Sequence, residues 1–216
     1  MEAMARDVDV EATDWLLSRT RAVRRRLDLG RPVPRHVLLE CIALAQQAPT
    51  AVNRQSWHWL IVTDAALRAD IGRIYRELSD RYAHVVAAEL PNRQSERVHE
   101  SARHLARVLA EVPVHVIPCM RPDTPGPMDH ATAAATYGSI FPAVWSFQLA
   151  ARARGLGTVL TTLHLAREAE IADLLGVPHE WRQVALVPTA YYTGETFKPA
   201  GRPSPETITS WDRWGD

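Results

Sequence analysis

Three short apolar segments, set among longer helical stretches, constrain the fold more than any other feature of the sequence. Residues 57–63, 112–120 and 183–192 are strand-like runs, and segments with a helical hydrophobic period lie before and between them. Hydrophobic residues make up 46% of the 216 positions, which is enough for a packed core. Because no internal repeat and no linker divides the chain, we predict one α+β domain over residues 1–216.

The helical segments carry start and stop signals that can be checked against a structure. Asp64 is predicted to cap a helix that follows the first strand. Residues 131–154 predict a long apolar helix that Pro142 either kinks or divides in two. Residues 10–18 predict a short helix, and we expect its buried side to carry Trp15, Leu16 and Leu17.

Charge and cysteine content argue against several classes of protein. The formal net charge is zero and the predicted pI is about 7.1, so neither a nucleic-acid nor an anionic membrane partner is favoured. Cys41 and Cys119 lie in apolar segments and do not form a disulfide framework, which suits a reducing compartment. The N-terminus lacks a signal-peptide pattern, and no apolar run is long enough to span a membrane. We therefore expect a cytoplasmic protein.

Several familiar catalytic patterns are absent from the sequence. His99 and His104 are five positions apart, whereas a helical zinc site of the hydrolase type needs a spacing of four. No serine sits in a strand–turn–helix elbow. The Gly-Leu-Gly at 155–157 follows a helix instead of a strand, so we interpret it as a helix stop and not as a dinucleotide loop.

An arginine-rich run is the strongest electrostatic feature, with seven arginines from Arg19 to Arg35. Arginines in such a run could bind nucleic acid, could hold a small anion such as a phosphate through bidentate hydrogen bonds, or could form a solvated basic face. The absence of net charge and of a nucleic-acid motif disfavours the first. We expect Arg25, Arg26 and Arg31 to belong to the solvated face.

Two further segments need a partner that the sequence alone does not identify. "APTAVNRQSW" at 48–57 brings Thr50, Asn53 and Gln55 to the start of a buried strand, which fits either a polar turn or a binding loop. The proline-rich tail from residue 193 carries large apolar side chains after the last strand. These must be buried against this subunit or a neighbour, and they are Phe197, Ile208, Trp211 and Trp214.

Taken together, the motifs resemble those of the FMN-dependent nitroreductase family. They are "TRAVRRRLD", "PVP", "APTAVNRQSW", "YGSIFPAVWSFQLAARARGLGT", "GRPSPE" and "WDRWG", in the family's order from about Arg19 to Trp214. The resemblance implies a three-layer sandwich in which helices flank a central, mostly antiparallel sheet. It also implies a homodimer with two FMN sites at the interface, in which the tail 193–216 is exchanged with the partner subunit.

The family's phosphate-binding motif reads Arg-Arg-Ser-x-Arg. Arg21 and Arg24 match it here, while Thr20 replaces the first arginine and Ala22 replaces the serine. Those two departures leave fewer side-chain donors for the phosphate. The resemblance implies that Arg21, Ala22 and Arg24 line the phosphate and that Arg202, in the tail, completes its site.

The resemblance also implies residues around the flavin ring. A flavin is a flat apolar ring with a polar edge, and amides can pair with both donors and acceptors on that edge. Asn53 would bind the pyrimidine end, supported by Gln55, and threonine hydroxyls or backbone N–H groups would reach N5 or O4. The residues implied are Pro49, Thr50, Asn53, Gln55, Thr161 and Thr162.

The function implied by the resemblance is FMN-dependent oxidoreduction. Hydride from NADH or NADPH would pass through FMN to a nitroaromatic, a quinone or a similar small-molecule acceptor in a ping-pong scheme. FMN would carry the chemistry, so no essential acid–base side chain is expected. The alternatives are a flavin-dependent dehalogenase or a flavin-fragmenting enzyme of the same fold, and, in another class, a non-catalytic flavin-binding protein.

Overall fold

The computed structural model describes residues 8–87, 93–122 and 126–215, which form two compact units. One unit is Arg21–Gly194. The other consists of the described residues of Met1–Thr20 and Glu195–Asp216. The start of this second unit's C-terminal part lies close to residue 193, where the exchanged tail is predicted to begin.

The described residues contain six α-helices and five strands. The helices are α1 (Val10–Arg19), α2 (Arg35–Ala45), α3 (Ala65–Ala87), α4 (Arg93–Val108), α5 (His130–Ala153) and α6 (Glu168–Leu175). The strands are β1 (Trp57–Val62), β2 (Val114–Met120), β3 (Leu156–Thr158), β4 (Arg182–Gln183) and β5 (Val187–Tyr191). Short 3₁₀ turns lie at Ala51–Asn53, Leu109–Glu111, Leu163–Arg167 and Pro205–Ile208. None of the described helices has the length and apolar content needed to cross a membrane.

The strands form one antiparallel sheet in the order β1-β2-β5-β3, with β4 paired to β2. The predicted third strand is split by a change of register. Gln183 faces Cys119, whereas Val187 faces Val116, so this part of the chain has one more residue than β2 between the two pairings. An extra residue of this kind is a bulge, and it re-aims the backbone between β4 and β5.

Every residue of β2 is buried, so both faces of the sheet are covered. Val114 and Val116 pack into a core shared with α2 and α5 that includes Phe147. His115 points to the opposite face, where its Nε2 lies 2.9 Å from the carbonyl oxygen of Leu109. Alternating sides of one buried strand therefore meet different layers, and the predicted α+β sandwich with an antiparallel sheet is confirmed.

Helix α5 remains a single helix of 24 residues with Pro142 inside it. Asp129 caps its start by accepting a hydrogen bond from the Thr132 N–H at 2.7 Å. Gly155 follows its end with φ +76°, a left-handed conformation that glycine adopts without strain. The Gly-Leu-Gly segment is thus the helix stop that the sequence predicts.

The predicted buried side of α1 is wrong for this chain. No residue of α1 is buried, and Trp15 and Leu17 are 41% and 48% exposed. Trp15, Leu16 and Leu17 are consecutive, and consecutive positions on a helix point in different directions instead of forming one stripe. Three consecutive apolar residues therefore do not make an amphipathic face.

Two fully buried histidines lie on the α3 side of the sheet. His115 Nε2 is bonded to the Leu109 carbonyl, but its Nδ1 has no hydrogen-bond partner among the described residues. Neither ring nitrogen of His164 has one among those residues either. Burial lowers the pKa of each ring to about 4. Both rings are therefore neutral in the folded protein near pH 7.

This pair predicts a loss of stability in acid. The unfolded chain binds protons near pH 6.5 and the folded chain only near pH 4. Stability is therefore full above pH 6.5 and falls as the pH drops toward 4, by about 1.4 kcal/mol per pH unit for each ring. Urea denaturation between pH 7.5 and 4.5 measures the free energy of unfolding as a function of pH. In His164→Leu the slope of that dependence should decrease by the contribution of about one proton. His179→Leu, at a fully exposed position, is the control; equal slopes in both variants would contradict the prediction.

Candidate functional site

The arginine motif is fixed to the sheet through its backbone. The Val23 N–H donates to the Thr158 carbonyl at 2.8 Å, and Ala22 forms a parallel bridge with Thr158. Gly157 makes this approach possible, since a Cβ there would lie 2.9 Å from Val23 side-chain atoms. Residues 22 and 23 thus extend the edge at β3, and the side chain of Arg24 follows from that anchor.

Arg24 is the arginine of the motif with a desolvated charge. Its Nη1 donates to Ser101 Oγ at 3.4 Å, and it lies close enough to Tyr75 for the two groups to interact electrostatically. Burial lowers the pKa of the Arg24 guanidinium, although it stays charged at neutral pH. Arg25, by contrast, is half exposed and pairs with Glu100 at 3.0 Å.

Arg31 is exposed, as expected, but the expectation that Arg26 belongs only to a solvated face is wrong. Arg26 Nε donates to the Thr193 carbonyl at 2.5 Å, and its guanidinium lies over the Tyr192 ring. Arg31 lies 3.5 Å from the centre of the Tyr191 ring. Planar guanidinium groups stack on aromatic rings, so these two arginines brace the end of β5. Their partners, the rings of Tyr191 and Tyr192, lie far from them in the sequence. The local sequence therefore does not distinguish these two arginines from Arg25.

Thr161 has both backbone groups paired by the bulge after β4. Its N–H donates to Leu186 O at 3.0 Å, and the Leu186 N–H donates to Thr161 O at 2.8 Å. Its Oγ1 lies 2.8 Å from the Tyr75 hydroxyl and 3.5 Å from the Leu163 N–H. Thr161 is half-buried. Because its backbone groups are both paired, its hydroxyl is the group that could bind a ligand. Thr162 is exposed, and its carbonyl accepts from the Leu165 N–H at 3.0 Å.

Tyr75 is the residue that sequence reasoning missed. It brings together Arg24, predicted at the phosphate, and Thr161, predicted at the ring. A signal was available: Tyr75 follows Ile71 by four positions, on the buried face of α3, and only 5% of it is exposed. A buried phenol needs a hydrogen-bond partner, but the sequence does not say which.

The loop before β1 is held in an unusual conformation. Val52 and Asn53 have φ of +48° and +54°, in the left-handed region that β-branched residues avoid. The Ala51 N–H donates to Ser139 Oγ in α5 at 3.0 Å. Gln55 Nε2 donates to Asn53 Oδ1 at 3.2 Å, and both amides are exposed. The loop therefore presents polar side chains outward while its backbone is fastened to α5.

The rest of the loop borders a small cleft. Pro49 is exposed and Thr50 is half-buried at the end of the chain segment that leaves α2. A cleft of about 80 Å³ lies between the loop and α5, and its lining includes Ala51, Arg54 and Thr136. Within the described ranges, no group of three or more His, Cys, Asp or Glu side chains could hold a metal ion.

The predicted site residues therefore fall into three places in one chain. Arg24 and Thr161 meet at Tyr75, with Arg21 and Ala22 just before Arg24. Among the described residues, no hydrogen bond of Thr50, Asn53 or Gln55 reaches Arg24 or Thr161. Arg202 belongs to the unit of the two termini, where it is exposed and its Nη1 donates to the Gly201 carbonyl at 3.1 Å.

Comparison with known proteins identifies this arrangement at the level of a family. The family model described as "Nitroreductase family" matches residues 17–191. The chain belongs to the nitroreductase family, as its motifs predict. The match covers the arginine motif, the loop before β1 and the Thr161 segment, and ends at the last residue of β5.

Individual relatives agree with this assignment. The chain is 26% identical to an iodotyrosine deiodinase from Thermotoga neapolitana over 175 residues, 81% of this chain and 86% of the relative. It resembles a crystal structure of oxidised iodotyrosine deiodinase bound to FMN and 3-iodo-L-tyrosine, with a TM-score of 0.69 and 23% identity over 90% of this chain and 96% of that one. A BluB-like flavoprotein from Clostridium difficile 630 gives a TM-score of 0.68 and 17% identity over 94% and 99%.

Proposed function

We propose that the protein is a homodimeric FMN-dependent oxidoreductase. It takes a hydride from NADH or NADPH and passes electrons to a small acceptor such as a nitroaromatic or a quinone. The observation that carries the proposal is the connected set of Arg24, Tyr75 and Thr161, which joins a desolvated cation to a half-buried hydroxyl. The iodotyrosine deiodinase structure bound to FMN supports the choice of cofactor.

The residues present fit FMN. Its phosphate brings nearly two negative charges, which are costly to desolvate unless cations stand ready. Arg24 is such a cation, since burial has already removed part of its hydration. Asn53 and Gln55 present amides with both donors and acceptors, as the polar edge of a flavin requires. Arg21 and Arg202 are the further cations proposed for the phosphate.

Bound FMN would supply a ring that accepts a hydride and releases electrons. The chain's own groups would orient it and balance its charge. Thr161 would donate from its hydroxyl near N5 or O4, with Thr162 beside it. Arg24 would offset the negative charge of the phosphate. Because Gly155 ends α5 and Gly157 already lies in β3, this segment forms no dinucleotide loop, and we propose that NAD(P)H and the acceptor use one pocket in turn.

The proposal of a homodimer rests on exposed apolar surface and on the divided site. Tyr137, Phe141 and Trp145 form a stripe at four-residue spacing on α5, and Tyr137 and Trp145 are 38% and 43% exposed. In the tail, Trp211 and Trp214 are 79% and 102% exposed. We propose that the partner covers both surfaces and that its loop 49–55 completes each FMN site. Such interfaces bury on the order of 2,000 Å² or more.

Reductive dehalogenation is the second candidate. Both the Thermotoga neapolitana relative and the structure with 3-iodo-L-tyrosine are iodotyrosine deiodinases, which favours it over the flavin-fragmenting alternative. The BluB-like structure, at 17% identity, supports the shared fold alone. A flavin-binding protein without turnover is the alternative of another class.

One set of anaerobic experiments separates these functions. Purified protein reconstituted with FMN should bleach with NADH or NADPH under argon and recover its colour when a nitroaromatic or a quinone is added. Recovery only with an iodinated phenol, together with iodide release, would favour dehalogenation. A yellow protein that neither nucleotide bleaches would argue for binding without turnover. A protein that binds no FMN would overturn the proposal.

Asn53→Ala is expected to weaken FMN binding by about 1–3 kcal/mol, since it leaves a buried edge of the ring unpaired. Fluorescence titration of apoprotein with FMN measures this. Gln47→Ala, at an exposed position shortly before the loop, is the matched amide control and should bind normally. Wild-type affinity in Asn53→Ala would remove this amide from the proposed site.

A further inference from the structure

We propose that Tyr75 is a positioning residue that fixes the direction of the Thr161 hydroxyl hydrogen toward the flavin ring. This inference rests on the proposed FMN function and assigns a role to a residue outside the family motifs. Tyr75 lies on α3, far in sequence from the Thr161 segment, and would not touch the cofactor itself. Its effect would pass through one hydrogen bond, that of 2.8 Å to Thr161 Oγ1.

The hydrogen bonds of Thr161 leave the direction of its hydroxyl hydrogen to be decided by Tyr75. Its backbone N–H and C=O are both used by Leu186. Its Oγ1 has two lone pairs and one hydrogen. The Leu163 N–H points at Oγ1 from 3.5 Å and occupies one lone pair. The other contact is Tyr75, so the direction of that bond decides whether the Thr161 hydrogen is spent inside the protein or is free for a ligand.

The direction of the Tyr75–Thr161 bond follows from the charge beside it. Either oxygen could donate on distance alone. Arg24, however, interacts electrostatically with Tyr75, and a guanidinium has donors but no acceptor. A phenol hydrogen aimed at this cation would be repelled and unpaired, whereas the phenol lone pairs are attracted to it. The Tyr75 hydrogen therefore goes to Thr161 Oγ1, and the Thr161 hydrogen is left free for a ligand.

This arrangement persists at neutral pH. Burial raises the pKa of the Tyr75 phenol, with the Thr161 hydrogen bond and Arg24 acting in the opposite direction. The phenol is thus neutral and keeps its hydrogen at neutral pH. Arg24, Tyr75 and Thr161 form a relay of fixed polarity that ends in one donor. Such a preorganised donor stabilises negative charge that appears on the ring oxygen O4 on reduction.

The first test needs no cofactor. Tyr75→Phe, Thr161→Val and the double variant form a double-mutant cycle in urea denaturation of the apoprotein. If the two hydroxyls are bonded, the effects should be non-additive by about fivefold in the unfolding equilibrium constant. Tyr82→Phe, at an exposed position on the same helix, is the matched control. Additive effects of Tyr75→Phe and Thr161→Val would overturn the bond on which the inference rests.

The second test measures FMN affinity in both redox states. Tyr75→Phe should weaken reduced FMN about tenfold more than oxidised FMN, which lowers the two-electron potential by about 30 mV. The same change made in Thr161→Val should leave the ratio unaltered. An unchanged ratio in Tyr75→Phe, or a shift that persists without the Thr161 hydroxyl, would overturn the inference while the proposed function stands. Wild-type protein that binds no FMN would overturn both.

Discussion

Replacing Arg24 with alanine is expected to weaken FMN binding by about one to two orders of magnitude. Charge-assisted hydrogen bonds contribute roughly 1.5–3 kcal/mol each, and loss of a partly desolvated cation leaves negative charge on the cofactor undercompensated. Arg202→Ala should have a similar effect if the tail arginine reaches the same phosphate. Titration of each apo variant with FMN, followed by quenching of flavin fluorescence, measures both.

The control for net charge is Arg25→Ala, since Arg25 is half exposed and pairs with the exposed carboxylate of Glu100 at 3.0 Å. Arg26→Ala is unsuitable as a neutral control, because Arg26 holds the Thr193 carbonyl and would perturb the end of β5. Equal losses in Arg24→Ala and Arg25→Ala would mean that the arginine run acts as a diffuse field. No loss in either Arg24→Ala or Arg202→Ala would mean that the phosphate is bound elsewhere.

Removal of residues 203–216 is expected to dissociate the dimer and to abolish stoichiometric FMN binding together with it. Trp211 and Trp214 are almost fully exposed in one chain. An aromatic side chain of this size buries about 150–250 Å² at an interface, and each dimer contains two such tails. We therefore expect the dimer to associate about a thousandfold more weakly, a loss of roughly 4 kcal/mol in the free energy of association. Sedimentation equilibrium and the flavin-to-protein ratio after gel filtration measure the two effects.

This truncation keeps Arg202, so a loss of FMN would report the partner and not the missing cation. Arg213→Ala, between the two tryptophans, is the control for local changes in the tail and should remain dimeric. A truncated protein that stays dimeric at micromolar concentration would show that the α5 stripe suffices for association. A truncated monomer that still binds FMN would contradict a site built from two chains.

Elements with a clear local signal could be predicted from the sequence. Asp64 does cap α3, where its carboxylate accepts from the N–H groups of Ala66 and Leu67. The strand predicted at 57–63 is β1, and the helix predicted at 131–154 is α5. Hydrophobic period, caps and helix stops are written in neighbouring residues, so these elements follow from the chain alone. Residues 81–110 predict a long polar helix broken at Pro91, and that position lies outside the described residues.

The remaining features depend on contacts between distant parts of the chain. The split between β4 and β5 is a matter of pairing with β2, which no pattern within 183–192 contains. The role of Arg26 depends on Thr193, and the partner of Tyr75 is Thr161, 86 positions away. The candidate site was thus predictable where the family motifs run, and not where side chains from α3 support it.

The left-handed pair Val52–Asn53 has a consequence for how this protein would evolve in the laboratory. Backbone in this region costs on the order of 1–3 kcal/mol for a residue that disfavours it, and glycine at such a position relieves the cost. Selection for heat resistance alone would therefore be drawn to position 52, since one substitution removes the strain. Selection that also demanded a functioning loop would resist the same change. Selection for stability and selection for function therefore compete at Val52. Which residue is retained there shows whether the left-handed conformation contributes more to function than it costs in stability.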